Sequence, residues 1–231
     1  MFFGIILFVG TMLLSLWAMW RVKSVYNHYS KVPCASGATG AEVAHAILAQ
    51  AQIRDVEIVS ANEMLGDHYD PTHKRLVLSE ANYYGNSPAA LGVAAHECGH
   101  AIQHKIAYSP LQWRMMAVGA TNFASQIVMW LPLLGLFTGI GWGQIGLLMA
   151  IAWGVIMLFN LITLPVEFDA SRRAKLILGN MGYIGTADEM LGVKRVLNAA
   201  GWTYVAAFIT SLAYFLWHLL PLLLGGRRSE D

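Results

Sequence analysis

The chain has 231 residues, of which 56% are hydrophobic and only 13% are charged, and its formal net charge is +1. Together with a mean hydropathy of +0.49, this composition lies outside the range of soluble globular domains and is typical of a membrane protein. The near-neutral charge argues against nucleic acid or any strongly charged partner, and two cysteines make no disulfide framework.

The first apolar run covers residues 2–20 and is long enough to cross the hydrocarbon core of a bilayer. No positive segment precedes it and no small-residue cleavage site follows it, so we expect a retained anchor rather than a removable signal peptide. Arg21, Lys23 and Lys31 follow at once. The positive-inside rule then places the N-terminus outside and the next segment in the cytoplasm.

The polar segment that follows contains one predicted helix and two predicted strands. Thr39 and Glu42 form a capping box, which predicts a short amphipathic helix over residues 40–52. The alternation at 56–59 and again at 75–78 predicts two strands, which we expect to form a small antiparallel sheet.

Residues 66–71 have the composition of a turn, and His68, Asp70 and His73 are expected to cluster there. Such a cluster has three interpretations: a second metal site, a contact to substrate, or a hydrogen-bonded turn. We favour the hydrogen-bonded turn.

The next helix carries the main chemical motif of the chain. Ser87 and Pro88 are a capping residue and a first-position proline, so we expect a helix over residues 89–107. His96 and His100 lie four residues apart and share one face of it, with Glu97 beside them. This is the H-E-x-x-H arrangement, in which two histidines hold zinc and the glutamate acts on water at the metal.

The alternative for this motif is a pair of buried histidines satisfied by backbone carbonyls. Cys98 lies within the motif but on the opposite side of the helix from both histidines. We therefore expect Cys98 to pack against other helices rather than to bind a metal.

From residue 115 to residue 166 the chain has no Asp, Glu, Lys, Arg or His. These 52 residues suit two membrane crossings, at 115–137 and 143–165, joined by a turn near 138–143. A last apolar run at 202–224 contains His218 and is kinked or ended by Pro221. Four spans place Arg227 and Arg228 on the outer side, which conflicts with the positive-inside rule.

A catalytic zinc needs a third protein ligand, and Glu167 is the best candidate. It follows the second arm of the predicted hairpin, and two crossings return the chain to the side where His100 lies. We expect Glu167 to begin a helix, where the helix dipole favours a carboxylate. Ser171 shares its face and could orient a ligand, whereas Asp169 points to the far side. An ordinary first-turn carboxylate is the alternative, and Glu189 and Glu42 are weaker substitutes.

Three stretches of this chain, 67–71 (DHYDP), 94–103 (AAHECGHAIQ) and 164–171 (LPVEFDAS), resemble the YugP family of bacterial membrane zinc metallopeptidases. More distantly the chain is similar to HtpX-like and CAAX-type membrane proteases, which place a membrane hairpin between the zinc helix and a glutamate ligand. In those relatives an acidic residue or asparagine usually stands four positions after the glutamate, whereas this chain has Ser171. The resemblance implies zinc and peptidase chemistry.

We therefore expect a mainly α-helical membrane protein with about four transmembrane helices and one domain over residues 1–231. Its catalytic segments, 24–113 and 166–200, would form a zincin-like region on the cytoplasmic face of the plasma (inner) membrane. The predicted activity is that of a zinc-dependent endopeptidase of the gluzincin type, acting on a peptide or membrane protein. Glu97 would be the general base, and the strand at 75–78 could pair with an extended substrate. Candidates for stabilising the oxyanion are Tyr183, His68 and Arg195.

Two other classes of function are alternatives to hydrolysis. One is a non-catalytic membrane scaffold or quality-control adaptor with a structural zinc, but such a site closes with a fourth ligand, often a cysteine, and Cys98 faces the wrong way. The other is a metal transporter, which needs ionisable groups along its membrane path. The charge-free hairpin argues against transport.

Overall fold

The computed structural model describes residues 2–62 and 66–225, and within them the protein is mainly helical with one small sheet. The elements in chain order are α1 (Phe2–Tyr29), α2 (Gly40–Gln50), β1 (Glu57–Ala61), β2 (His68–Asp70), β3 (Arg75–Ser79), α3 (Glu80–Tyr83), α4 (Pro88–Lys105), α5 (Ser109–Thr138), α6 (Trp142–Asn180) and α7 (Ala187–Gly225).

Four of these helices, α1, α5, α6 and α7, are long and apolar enough to cross a membrane, as the four apolar runs predicted. The predicted turn between the two central spans is confirmed: α5 ends at Thr138, and Gly139 adopts the left-handed conformation with φ of +66°. Pro221 does not end the last helix but lies inside it. Arg227 and Arg228 lie outside the described residues.

The chain divides into two compact units. The membrane unit comprises Met1–Leu16, Trp113–Leu164 and Tyr204–Asp231, and the site unit comprises Trp17–Gln112 and Pro165–Thr203. Within the membrane unit, α6 and α7 are joined by the side chain of Asn160, which donates to the carbonyl of Ala207 and to Ser211 Oγ, at 3.2 and 3.0 Å. A polar side chain with partners of this kind can pin two helices together in an apolar surrounding.

Capping residues in the sequence determine where two helices of the site unit begin. Ser87 Oγ accepts a hydrogen bond from the backbone N–H of Ala90 and Pro88 is the first residue of α4, so the predicted start of this helix is confirmed. The capping box of Thr39 and Glu42 at the start of α2 is confirmed as well. Because these caps satisfy backbone groups that the helix itself leaves unpaired, they define where each helix begins.

The sheet has the strand order β1-β3-β2, with β1 parallel and β2 antiparallel to β3. The prediction of an antiparallel sheet is therefore wrong for the β1–β3 pair. The reason is that His68–Asp70, predicted as part of a turn, form a strand of their own. The hairpin therefore joins β2 to β3, and β1 pairs with the opposite edge of β3.

This order also corrects the prediction that the strand at 75–78 pairs with a substrate. Since β3 is the central strand, both of its edges are already hydrogen-bonded to β1 and β2. An added strand can join only at the outer edge of β1 or β2.

The core of the site unit fixes the position of α4. Leu76 and Leu78 alternate inward from β3 and are fully buried, as are Leu91 on α4 and Ile47 on α2. Burying each such side chain contributes about 1.5–3 kcal/mol. The helix with the H-E-x-x-H motif is thus held between α2 and the sheet by apolar packing.

Candidate metal centre

One face of α4 presents the two histidines of the motif side by side. The ring centroids of His96 and His100 are 4.8 Å apart, as expected for residues one helical turn apart. Their side chains are only 14% and 11% exposed.

The structure brings Glu167 to this pair. Its carboxylate Oε2 lies 3.2 Å from His96 Nε2 and 3.6 Å from His100 Nε2, and its side chain is 2% exposed. Within residues 2–62 and 66–225, these three form the only group of three or more His, Cys, Asp or Glu side chains whose possible ligand atoms all lie close together, here within 4.8 Å.

The helical context of Glu167 differs from the prediction. Glu167 does not begin a helix but lies in the interior of α6, which continues through Pro165. The predicted help from a helix N-terminus therefore does not apply to this carboxylate. The histidines, rather than the helix dipole, compensate its charge.

A close approach of α4 and α6 makes this contact possible. A Cβ atom at Gly99 would lie 2.9 Å from the carbonyl oxygen and 3.1 Å from the Cα of Ala170. No side chain fits at position 99, so the glycine between the two histidines allows α6 to pack directly against α4. Glu167 lies one turn before Ala170 and reaches the histidines from there.

Each histidine uses its Nδ1 atom for a second contact. Ser171 Oγ lies 3.2 Å from His96 Nδ1, and Gln103 Oε1 lies 3.0 Å from His100 Nδ1. With both Nδ1 atoms occupied, both Nε2 atoms face Glu167. The contact of Ser171 has the form that the sequence suggested, and its role in orienting a ligand stays a prediction.

Gln103 was not predicted to contact the site, and Asp169 was predicted on the wrong side of its helix. Asp169 does not point away from the site: it accepts a hydrogen bond from Gln103 Nε2 at 3.0 Å and further bonds from Arg172 and Arg173. A signal for Gln103 was present, because it stands three residues after His100 and so lies on the same side of α4.

Glu97 is 7% exposed. In the described part of the chain its carboxylate has no hydrogen-bond or ion-pair partner. Burial opposes the protonation of the neighbouring His100, but the hydrogen bond to Glu167 and the charges of Glu97 and Glu167 outweigh it and raise the pKa of His100.

The donor set fits zinc. Bonds of 2.0–2.1 Å to a tetrahedral zinc ion place neighbouring ligand atoms about 3.3 Å apart, close to the distances of 3.2 and 3.6 Å from Glu167 to the two histidines. Two imidazole nitrogens and one carboxylate oxygen are typical zinc ligands, and hydrogen-bonded Nδ1 atoms are typical of zinc-binding histidines.

Cys98 does not complete the set. It is fully buried, its Sγ lies 3.7 Å from the carbonyl oxygen of Ala44, and burial raises the pKa of its thiol well above the usual value. The expectation that Cys98 serves helix packing is confirmed.

Asp70 and His73 form a hydrogen-bonded turn, as favoured from the sequence, whereas His68 lies in β2 and has a separate contact. Asp70 accepts bonds from the His73 ring and from the backbone N–H groups of Thr72 and His73, and these bonds lower the pKa of Asp70 to about 2. His68 Nδ1 lies 2.6 Å from the carbonyl oxygen of Gly66.

The other candidates of the sequence analysis have contacts of their own. Arg195 donates to the hydroxyl of Tyr29 at 2.9 Å, and Tyr183 packs against the core of the site unit. Glu42 caps α2, and Glu189 accepts bonds from the backbone N–H groups of Ala35 and Gly185. Oxyanion stabilisation by Tyr183, His68 or Arg195 stays a prediction.

Comparison with known proteins agrees with the zinc-type donor set of the candidate site. Residues 4–223 match the model of a family described as "Putative neutral zinc metallopeptidase". The chain is 44% identical over 223 residues to "Putative membrane protease YugP" of Bacillus subtilis (strain 168), an alignment that covers 96% of this chain and 97% of that protein. No solved structure matches. The resemblance drawn from the motifs is confirmed, and the chain belongs to this family of neutral zinc metallopeptidases.

Proposed function

We propose that this protein is a membrane-embedded zinc endopeptidase in which His96, His100 and Glu167 hold the metal and Glu97 is the general base. The observation that carries the proposal is a three-ligand cluster with no fourth protein ligand in the described chain, next to a buried carboxylate without a hydrogen-bond partner. Three ligands and one open position are the arrangement of catalytic zinc sites.

When bound, zinc supplies a Lewis acid that activates a water molecule and polarises the carbonyl of the peptide bond. Glu97 accepts the proton of the attacking water and delivers it to the departing amine. Ser171 orients the imidazole ring of His96 through its contact with Nδ1.

An extended substrate can add to the sheet as a further strand, and the outer edge of β2 is the place we propose. Tyr69 of β2 lies with its hydroxyl 2.9 Å from Nδ1 of His104, one turn of α4 beyond His100. The edge of β2 therefore runs close to the helix that carries the proposed ligands. A peptide or a segment of a membrane protein in extended conformation suits this edge.

Four apolar helices and the membrane-protease relative suggest a multi-pass membrane protein. We propose that the site faces the cytoplasm at the plasma membrane, because Arg21, Lys23 and Lys31 follow the first apolar run directly. We also propose that residues 1–231 act as one functional domain, since the site unit takes segments from both sides of the α5–α6 hairpin.

The scaffold alternative requires a closed structural site. Such sites have four protein ligands, whereas the cluster in the described residues has three and Cys98 points elsewhere. We therefore place hydrolysis ahead of a purely structural zinc.

The test is the substitution Glu97→Gln in the purified full-length protein. We expect this variant to retain zinc at the wild-type stoichiometry and to lose cleavage of a peptide library by about 10²- to 10⁴-fold, the usual contribution of a general base. Glu80→Gln, at an exposed glutamate of α3, is the matched control and should leave both properties unchanged. Undiminished cleavage by Glu97→Gln would refute the assigned base, and a wild-type protein that binds no zinc would refute the metal site.

A further inference from the structure

The side chain of Gln103 is fully buried, near the end of α4 and one turn after His100. Its Nε2 group has two hydrogen-bond partners, the backbone carbonyl of Val166 at 2.8 Å and the Oδ2 atom of Asp169 at 3.0 Å. Both partners are acceptors only, since neither a carbonyl oxygen nor a carboxylate oxygen can donate.

These two acceptors fix the direction of the Gln103 amide. The NH₂ end must face Val166 and Asp169, so Oε1 must face His100, where it lies 3.0 Å from Nδ1. An amide oxygen only accepts. Nδ1 of His100 therefore carries a proton, so in the neutral form of the ring the lone pair that can bind a metal lies on Nε2, the nitrogen nearest Glu167.

Asp169 is itself held in place. It is 9% exposed and accepts hydrogen bonds from Arg172 and Arg173, so its carboxylate oxygens are positioned by charged donors. Val166, the other acceptor, directly precedes Glu167. The amide of Gln103 thus ties the helix that carries both histidines to the residue next to the third proposed ligand.

The partner of His96 does not impose a direction in this way. A serine hydroxyl such as that of Ser171 can donate or accept, so its contact with Nδ1 is compatible with either tautomer. The tautomer of His100 is therefore fixed by its partner, whereas the tautomer of His96 is not.

We propose that Gln103 is a positioning residue of the metal centre: oriented by Asp169 and the carbonyl of Val166, it holds His100 with Nδ1 protonated and Nε2 free to bind the metal. This inference rests on the proposed function, because it assumes that His100 is a zinc ligand. It goes beyond that function because it assigns a role to residues that hold a proposed ligand and do not bind the metal themselves.

The first experiment measures zinc affinity by competition with a chromogenic chelator, using the purified full-length protein in detergent. We expect Gln103→Met, which keeps the length of the side chain but removes its hydrogen bonds, to weaken zinc binding about 10- to 100-fold, as is typical for such outer partners. The matched control is Asn82→Leu, which removes another buried amide of the site unit, one bonded to Asp67 and Tyr26. It should destabilise the protein without changing its zinc affinity.

The second experiment exchanges the amide and the carboxylate. Gln103→Glu alone places a carboxylate against that of Asp169. Asp169→Asn alone removes the charge that orients the amide of Gln103. Each single variant should therefore weaken zinc binding. In the double variant the carboxylate at position 103 can accept from both His100 Nδ1 and the amide at position 169. One oxygen of that carboxylate still faces the carbonyl of Val166, so we expect the double variant to recover part of the zinc affinity that Gln103→Glu alone loses, which loss of packing alone would not predict.

The outcomes separate the two proposals. If the wild type binds zinc tightly and Gln103→Met binds it equally well, the positioning role is overturned while the metal site stands. If Gln103→Met does not fold, the exchange decides, and a folded double variant that fails to recover zinc binding overturns the positioning role. A wild-type protein that binds no zinc overturns the proposed function and this inference together.

Discussion

Gly99→Ala tests how the metal centre is held together, because it adds one methyl group where α4 and α6 are closest. The new Cβ would lie 2.9 Å from the carbonyl oxygen and 3.1 Å from the Cα atom of Ala170. Both are backbone atoms and cannot rotate away, so the two helices must separate. Carbon atoms pack at about 3.5 Å or more, which requires a displacement of about 0.4 Å along this contact.

The displacement acts on the ligand geometry and on stability. Glu167 stands one turn from Ala170, so its Oε2 would move away from His100 Nε2. These two atoms are already 3.6 Å apart, whereas two ligand atoms of a tetrahedral zinc lie about 3.3 Å apart. Overpacking costs about 1–3 kcal/mol, offset by about 1 kcal/mol for replacing glycine by alanine in a helix. We expect a net destabilisation of about 0–2 kcal/mol and a loss of zinc affinity of about 10- to 100-fold.

The same substitution at Gly92, on the same helix, is the control. A Cβ atom there would meet Val193 Cγ1 at 3.5 Å, an ordinary contact. Gly92→Ala should therefore keep the zinc affinity and gain up to about 1 kcal/mol of stability from helix propensity. Zinc affinity by chelator competition and thermal unfolding measure both effects. Equal zinc affinities for Gly99→Ala and Gly92→Ala would refute the argument that the close contact positions Glu167.

Two further predictions concern protonation. The pKa of His100 is raised above its ordinary value of 6.5, because Glu167 and Glu97 outweigh the effect of burial, and zinc must displace that proton. We therefore expect the zinc affinity to fall as the pH is lowered through the pKa of His100, as measured by chelator competition at a series of pH values; an affinity that stays the same between pH 8 and pH 5 would contradict this. For the cysteines, burial, with the charge of Glu189, raises the pKa of Cys34 to about 11, and burial raises that of Cys98 well above its usual value. Because the thiolate is the reactive form, neither should be alkylated at pH 8 in the folded protein, and both should react after unfolding; mass spectrometry of labelled protein would expose a reactive thiol.

The features that could be predicted from the sequence depend on residues close together in the chain. Ser87 and Pro88 predicted the start of α4, and the spacing of His96 and His100 predicted a shared face, because caps and helical periodicity are local. The apolar runs predicted four membrane helices by length alone. Glu167 was the exception: counting membrane crossings identified it across 66 residues.

The features that were missed depend on which segments meet in space. Alternation along a strand shows which face is buried but not the direction of its neighbour, so the parallel β1–β3 pair was not predictable. The predicted span ends at residue 165 and a new helix is expected at Glu167, but Pro165 lies inside α6, because prolines are tolerated inside membrane-spanning helices. Asp169 was predicted on the far side from Glu167 because only the spacing of residues along their own helix was considered. Its partner Gln103 lies on another helix, and only the packing of α4 on α6 brings the two together.

The burial of acidic groups at this site is an argument for function in its own right. Glu97 and Glu167 are 7% and 2% exposed, and withdrawing a carboxylate from water costs several kcal/mol even beside a partner. Apolar residues of similar size would fill such a position at lower cost. The ion pair of Asp70 and His73 lies in an exposed turn and carries no such penalty. Stability alone therefore does not explain two buried carboxylates beside two imidazoles. This burial supports the proposal of a bound cation, which would compensate the charge of the carboxylates.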